Sequence, residues 1–338
     1  MTTKEKLLGL FEENKGKYLS GETIAGMLSV SRTAVWKAVK SLQTEGYQID
    51  GVRNRGYRLA EDTDILSLAG IGKYLKPICG NLRIHMTRKT GSTNEEVRIK
   101  ASEGEPEGYV LIAECQTNGK GRVGRTFFSP AETGIYMSLL LRPGRYSLPQ
   151  ASGLTTMAAA ACCEAIENVS DENAAIKWVN DIYVRGKKVS GILTEASLGL
   201  EEGCLDYAVL GIGINVYPPA KGFPPELKDT AGFVFETAAQ NGKNRLAAGF
   251  LNAFMTYYQS EDPASYVESY RAKSFVLGKE IRVIQGKSER KAVALDIDKD
   301  CRLIVKYEDG TLQRLSSGEI QVKCWKNQRE INYSRSGS

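Results

Sequence analysis

Between residues 20 and 59 the apolar residues pass from helical spacing to strand alternation, and that passage restricts the unit this stretch can build. In SGETIAGMLSVSRTAVWKAVKSLQTEGYQI, Ile24, Met27 and Leu28 recur at helical spacing, and the period restarts at Val35, Ala38, Val39 and Leu42. Between the two runs lies SVSRT, where the Ser31 hydroxyl can cap the second helix. The next segment, GYQIDGVRNRGYRL, alternates with period two around the turn signals Asp50-Gly51 and Asn54-Arg55-Gly56. Two short helices joined by a tight turn and followed by a basic hairpin predict a winged helix-turn-helix over residues 1–66.

Charge gives that unit a use. Residues 1–60 carry ten lysines and arginines against six acids, so most of the net charge of +5 sits at this end and points to an anionic partner. With Val35, Ala38, Val39 and Leu42 facing the core, Arg32, Thr33, Trp36, Lys37 and Lys40 fall on the outer face of the second helix. Arg32 and Thr33, near its start, suit base edges, whereas Lys37, Lys40 and the hairpin residues Arg53 and Arg55 suit phosphates. Trp36 divides between packing at a domain seam and touching DNA. A winged helix used only for protein contacts is the alternative, but the cations lie on the face that this geometry inserts into a groove.

At 338 residues the chain is longer than one ordinary domain, and with 42% hydrophobic and 25% charged residues it can bury a substantial core. It shows neither the apolar run of a secretory signal at its start nor one long enough for a bilayer, so a cytoplasmic protein without membrane partners is expected. The seven cysteines include no Cys-x-x-Cys pair, which argues against a disulfide framework or a zinc site; Cys162 and Cys163 read as small core residues of an Ala-rich helix. The one histidine, His85, lies in the alternating LRIHM and reads as structural. Chemistry that needs an imidazole would have to run through it.

The segment GKGRVGRTFFSP, residues 119–130, spells G-x-G-x-x-G after the apolar strand YVLIAECQ. A dinucleotide site needs a helix directly after the last glycine; here the strand-like GIYMSLLLR follows, so the fingerprint fails on context. A kinase reading fails as well, because no lysine stands in the following strand and no HRD or DFG occurs. What remains is physical: glycines leave backbone amides free to wrap an anion, and Lys120, Arg122 and Arg125 add positive charge. Such a loop fits phosphate and is expected to be mobile when empty.

Upstream, Ser92-x-x-Glu95 is a capping-box pattern, and Ser92, Thr93 and Asn94 equally offer hydroxyl and amide groups to a polar, uncharged ligand. Spacing alone favours the cap, and one serine can serve both roles. Downstream, AIKWVNDIYVRGKKVSGILTEA reads as three strands with turns at Asn180-Asp181 and Arg185-Gly186-Lys187, after an Ala-rich helix from about Pro149 to Val169. Lys188 stands at the start of the third strand, either solvated or directed into a cleft.

In this order, the winged helix, GSTN, ECQTNGKGRVGRTFFSP, KWVNDIYV, GKKVSGILTE and GIGINV resemble the bifunctional biotin protein ligases that also act as biotin operon repressors. The resemblance extends to about Cys324. It implies an α+β chain with three parts: the winged helix-turn-helix; a biotin- and ATP-binding domain over 67–272, similar to the core of class II aminoacyl-tRNA synthetases, with a mixed sheet and helices; and an SH3-like β-barrel over 273–326. A flexible tail, 327–338, follows.

The same resemblance implies the site. Ser92, Thr93, Asn94 and Gln116 would bind the ureido ring of biotin, and the loop from Gly119 through Lys120, Gly121, Arg122 and Val123 would close over the ligand and the α-phosphate. Lys188 would contact the biotin carboxylate and the transferring phosphate, Asn180 and Asp181 would help hold ATP and its Mg2+, and Asn215 would lie beside the nucleotide. Lys188, Arg122 and Asp181 would carry the catalysis. Three residues depart from the family pattern: Lys120 where arginine is common, Val179 in place of the proline of K-W-P-N-D, and Phe127 in place of a tryptophan. Lysine gives up a fork for a point charge, and valine leaves its turn less rigid.

The implied partners are a biotin carboxyl carrier domain of acetyl-CoA or pyruvate carboxylase, operator DNA, and a second copy of the chain in a ligand-promoted dimer. The implied chemistry accounts for the lack of histidine, since biotin's carboxylate is already an anion and needs no base to attack phosphorus. Two rivals stand beside it: a biotin-sensing regulator without ligase activity, and a lipoate protein ligase of the same core fold.

Overall fold

The computed structural model describes residues 1–143, 148–198, 205–286 and 288–322. The tail expected over 327–338 lies outside the described residues, as do Lys323 to Lys326 at the end of the third expected domain.

Three helices open the chain: α1 (Thr3–Glu13), α2 (Gly21–Leu28) and α3 (Arg32–Thr44). Each start is fixed by a hydroxyl. Thr2 and Glu5 form a reciprocal capping box on α1, Ser20 accepts from Thr23 N on α2, and Ser31 accepts from Ala34 N at 3.2 Å on α3. Leu7, Leu10 and Phe11 meet Ile24, Val35, Ala38, Val39 and Leu42 in a core of their own. Met27, expected inside, is 61% exposed, because α2 buries Ile24 and Ala25 instead.

The hairpin of β1 (Ile49–Val52) and β2 (Gly56–Leu59) follows. Its turn is at Arg53–Arg55; Asp50 and Gly51 lie within β1, where Asp50 pairs with Arg58 across the strands at 2.6 Å. Gly56 has φ of 95° and a side-chain carbon there would fall 2.0 Å from Leu19 O, so the hairpin can close on the segment before α2 only with glycine at this position.

After α4 (Leu68–Gly72) comes a seven-stranded sheet in the order β3 (Arg83–Thr87), β4 (Tyr109–Ala113), β5 (Gly134–Leu141), β9 (Leu205–Asn215), β8 (Lys187–Leu198), β7 (Asp181–Val184) and β6 (Ala175–Lys177). Only β3 and β4 run parallel; every other neighbouring pair is antiparallel. The mixed sheet that the resemblance implied is therefore present, and it is largely antiparallel. The connection between β3 and β4 is α5 (Thr93–Ser102), which packs through Val97 and Ala101 on one face of the sheet. The other face is covered by α6 (Leu148–Val169), α7 (Gly242–Tyr258) and α8 (Val267–Lys273).

In α6 the run Ala158 to Cys163 is fully buried, the small side chains allowing α7 to approach closely. Burial pushes the Cys162 thiol up to about 12, which fits the expected core role. On α7, Phe250, Phe254 and Tyr258 stack in sequence, and burying each such ring contributes about 1.5–3 kcal/mol. His85 lies on the outer strand β3, exposed and stacked on Tyr109 at 4.6 Å between ring centroids.

The third unit is an antiparallel five-stranded sheet of β10 (Glu280–Gln285), β11 (Ser288–Ile297), β12 (Leu303–Tyr307), β13 (Leu312–Leu315) and β14 (Glu319–Val322), ordered β13-β12-β11-β10-β14. Its core is continuous with that of the central sheet, and Trp178 donates its indole N–H to Cys301 O across the junction at 3.1 Å. Among the described residues no helix is long and apolar enough to cross a membrane.

Candidate active site

The two central strands β8 and β9 carry glycines where side chains would otherwise stand over the sheet. A side-chain carbon on Gly213 would fall 2.4 Å from the Phe127 ring, and one on Gly211 would fall 2.0 Å from Asn94 Oδ1. Those glycines thus make a floor on which a loop residue and a helix residue lie. The result is a cleft of about 380 Å3, walled by the start of α5, the glycine-arginine loop, the β6–β8 strands and the edge of β14.

One wall is neutral and polar. Ser92 is the N-cap of α5 but its hydroxyl makes no capping bond, so of its two sequence roles the cap is not taken up. Thr93 N donates to Gln116 Oε1 at 2.8 Å, and Asn94 Nδ2 donates to Glu195 Oε2 at 2.7 Å. The side chains of Ser92, Thr93 and Asn94 all line the cleft, each 4% exposed, and Gln116 lies beside them.

The opposite side is cationic. Lys120, Arg122, Arg125, Lys177 and Lys188 line the cleft against two carboxylates, Asp181 and Glu319, a balance suited to a polyanion. Lys188 Nζ is 2.6 Å from Asp181 Oδ1, which has no other hydrogen-bond partner in the protein. Lys177 faces Asp181 across the β6–β7 hairpin. Burial pushes its ammonium below the ordinary lysine value while the Asp181 carboxylate pulls the other way. Lys177 was quoted in KWVND but given no role by sequence; its signal was the two-residue alternation that puts it on the same face as Asp181.

The turn that valine was expected to loosen is held from three sides. Asn180 Nδ2 donates to Ile192 O at 2.9 Å, Ile192 N donates to Asn180 O at 3.1 Å, and Tyr270 donates its hydroxyl to Val179 O at 3.0 Å. The loop, expected to be mobile when empty, is a hairpin in this structure. Gly121 N donates to Arg125 O at 2.7 Å and Phe127 N to Gly119 O at 2.8 Å. Gly119 sits behind the cleft wall, where a side-chain carbon would strike Phe127 O at 2.5 Å, so it lets the hairpin close. Val123 occupies the tip with φ of 53° and is 81% exposed, so the left-handed turn of the backbone carries it away from the cleft and against its expected place among the binding residues.

Arg122 donates to Asn180 Oδ1 at 2.9 Å and to Gly318 O at 3.4 Å, and Arg125 pairs with Glu319 at 2.8 Å. Lys120 turns outward onto Glu95. The residues Gly318 to Gln321, at the start of β14, complete the wall, and sequence reasoning missed them. They come from a separate unit some two hundred residues further along the chain, and no local pattern marks them. Asn215 lines the cleft and donates to Gly232 O at 3.0 Å; His85 does not line it.

Among the described residues no three His, Cys, Asp or Glu side chains gather as a metal cage. A single carboxylate, Asp181, whose buried Oδ1 meets only the Lys188 ammonium, fits Mg2+ carried mainly by substrate phosphates, the usual manner for that ion.

On the first unit, Arg32, Thr33, Trp36, Lys37 and Lys40 are all exposed on one face of α3, and Arg53 and Arg55 are exposed in the hairpin turn. Trp36 is 51% exposed, which removes it from the seam. Arg55 also lies over the Tyr18 ring at 4.8 Å.

Comparison with known proteins agrees with this division. Residues 84–215 match the biotin/lipoate A/B protein ligase family, residues 3–58 an HTH domain, and residues 276–323 the biotin protein ligase C terminal domain. The chain is 37% identical over 239 residues to the bifunctional ligase/repressor BirA of Bacillus subtilis, covering 71% of this chain and 73% of that one. It is 32% identical over 330 residues to the protein of the same name from Bacillus spizizenii, covering 95% and 99%. A biotin protein ligase from Aquifex aeolicus, solved in complex with biotin and ATP, superposes with a TM-score of 0.59 at 25% identity, covering 71% of this chain and 98% of that one.

Proposed function

The chain belongs to the biotin/lipoate A/B protein ligase family, as one of its bifunctional ligase/repressors, and from this we propose that it activates biotin with ATP, transfers it to a carrier lysine, and represses transcription as a ligand-promoted dimer. It is a biotin–protein ligase. The observation that carries the mechanism is the cleft itself: a neutral hydrogen-bonding wall at Ser92, Thr93, Asn94 and Gln116 faces a cationic wall ending in Lys188.

Biotin's ring rests on the neutral wall, and its carboxylate points to Lys188. A carboxylate oxygen attacks the α-phosphorus of ATP, the bond from that phosphorus to the bridging oxygen breaks, and pyrophosphate leaves. Mg2+ bound with ATP supplies neutralisation of the phosphate charge. Lys188 and Arg122 stabilise the charge that grows on the α-phosphoryl oxygens. Asn180 holds Arg122 in place from the nucleotide side, and Asn215 stands beside the nucleotide. In the second step a neutral carrier lysine attacks the acyl carbon and AMP departs; Asp181 assists by accepting a proton from that amine. The closed hairpin keeps water from the mixed anhydride between the two steps.

The central sheet supports a class II synthetase-like core and the five-stranded unit supports an SH3-like barrel, with boundaries at 1–66, 67–272 and 273–326. The carrier domain of acetyl-CoA or pyruvate carboxylase is the acceptor, which fits a cytoplasmic setting. The chemistry test is incubation with biotin, ATP, Mg2+ and such a carrier domain. Pyrophosphate release together with biotin on one carrier lysine is the expected result. Ligand binding without pyrophosphate would leave a mere sensor, and preference for lipoate over biotin would overturn the substrate.

The exposed cations of α3 and the hairpin wing support operator binding, and a two-fold dimer through the central sheet would set two such helices on an inverted repeat. The carrier and the second monomer would compete for that sheet. Sedimentation with biotin and ATP is expected to show a doubled mass that falls again when carrier domain is added. Operator affinity is expected to drop about tenfold or more between 50 and 200 mM salt, because the contacts are largely to phosphate. An unchanged mass in all conditions would separate repression from dimerisation.

A further inference from the structure

Behind the neutral wall, the hydrogen bonds run in one fixed direction. Glu195, half-buried on β8, accepts from Asn94 Nδ2 at 2.7 Å, and Leu193 O lies 3.4 Å from the same nitrogen. A carboxylate and a carbonyl have no proton to give, so Asn94 can only turn its amide nitrogen to them and its Oδ1 to Ser138. Ser138 is fully buried, and its Oγ is 2.6 Å from Asn94 Oδ1 and 2.7 Å from Thr93 Oγ1. It carries one proton. Asn94 Oδ1 only accepts, so that proton goes to Asn94, and Ser138 meets Thr93 as an acceptor.

A second branch ends the same way. Ser129 Oγ donates to Phe127 O at 2.9 Å and therefore accepts from Gln116 Nε2 at 3.0 Å. Gln116 Oε1 is thereby turned toward α5, where it accepts Thr93 N at 2.8 Å and lies 3.1 Å from Thr93 Oγ1. Both protein neighbours of the Thr93 hydroxyl are acceptors. Its proton is held inward, and what it offers the cleft is a lone pair.

We infer that Glu195 is a positioning residue for ligand specificity: through Asn94 and Ser138, and alongside the Gln116 branch, it fixes the Thr93 hydroxyl as a hydrogen-bond acceptor facing the cleft, so the site takes a ring N–H and rejects a ring oxygen at the same position. The inference rests on the proposed reading that this wall holds the biotin ring, and it adds the polarity of that wall and the residue that sets it. Gly211 belongs to the device, since any side chain there would displace Asn94 Oδ1.

The test compares biotin with its two cyclic carbamate analogues, each having one ring N–H replaced by O, by equilibrium titration of the whole protein without ATP. Wild type is expected to prefer biotin over at least one carbamate by ~100-fold, the upper end of the cost of leaving one buried hydrogen-bonding group unsatisfied. Glu195→Gln can donate as well as accept, which frees Asn94 and Ser138 to reverse, so Ser138 can donate to Thr93 and Gln116 Oε1 is left as the one acceptor that draws the Thr93 proton inward. Biotin affinity is then expected to stay within about threefold while the preference falls to about tenfold, because one of the two acceptors that hold the Thr93 proton inward is gone. Ser138→Ala, which cuts the chain, is expected to reduce the preference as well. A purely structural effect would weaken both ligands alike; an unchanged preference in both variants overturns the inference. Thr93→Val separates this failure from failure of the site reading. If that variant leaves biotin binding intact the ring lies elsewhere, whereas if it weakens biotin and the other two variants keep the preference, only the role of Glu195 is lost.

Discussion

Alanine in place of Lys188 is expected to lower the rate of biotinyl-adenylate formation by about 10³-fold, with little change in thermal stability. The backbone of Lys188 is anchored independently of its side chain: its N–H donates to Thr230 O and its carbonyl accepts from Gly232 N, both at 2.8 Å. The ammonium is a third exposed and is held 2.6 Å from Asp181, so it is already aimed into the cleft before any ligand arrives. Its loss deletes a full charge close to where negative charge accumulates in the transition state. At an effective dielectric of about 20, a charge pair 4 Å apart is worth about 4 kcal/mol, which matches the stated loss when the interaction is made in the transition state and not before. Lys188→Arg is expected to recover a minor part of the rate, because the charge returns with a wider head group. Single-turnover measurement of adenylate with saturating biotin and ATP decides the matter; a rate within tenfold of wild type would remove Lys188 from the chemistry.

The sequence reached the first unit almost entirely because its information is local. Ser31 caps α3 as its position before an amphipathic run implied, and the cations of α3 fall outside because Val35, Ala38, Val39 and Leu42 are required inside. The errors there are of the same local kind. Asp50-Gly51 is a turn pair by composition, yet the longer ladder with Arg58 and Tyr57 keeps both residues in β1. Met27 has the spacing of a core residue, but α2 buries Ile24 and Ala25 and leaves it 61% exposed.

The cleft was legible where one segment supplies a complete feature, as with Ser92 to Asn94 or the glycine loop. It was not legible where two distant segments meet. Glu319 and Gly318 enter the wall only because the five-stranded unit docks beside Trp178, and Glu195 reaches Asn94 only because β8 lies next to β9 beneath α5. The loop's cationic composition indicated an anion without revealing that its three cations have different partners: Asn180 for Arg122, Glu319 for Arg125 and Glu95 for Lys120.

That division of partners produces the second large effect. Arg122→Ala is expected to increase release of the adenylate by about 10- to 100-fold, since it removes charged hydrogen bonds of about 1.5–3 kcal/mol that fasten the hairpin across the cleft. Arg122 joins the loop both to Asn180 on the β6–β7 turn and to Gly318 O on the five-stranded unit, and it is the one loop cation bonded to both sides of the opening among the described residues. Lys120 is bound only to Glu95 at the surface, a class of pair worth about 0–1 kcal/mol, so Lys120→Ala is expected to change release by less than about threefold. Release is read by preforming the adenylate, adding excess unlabelled biotin and ATP, and following loss of the labelled intermediate from the protein. If Arg122→Ala and Lys120→Ala leak equally, closure depends on total loop charge, and the specific bridge through Asn180 has no part in retention.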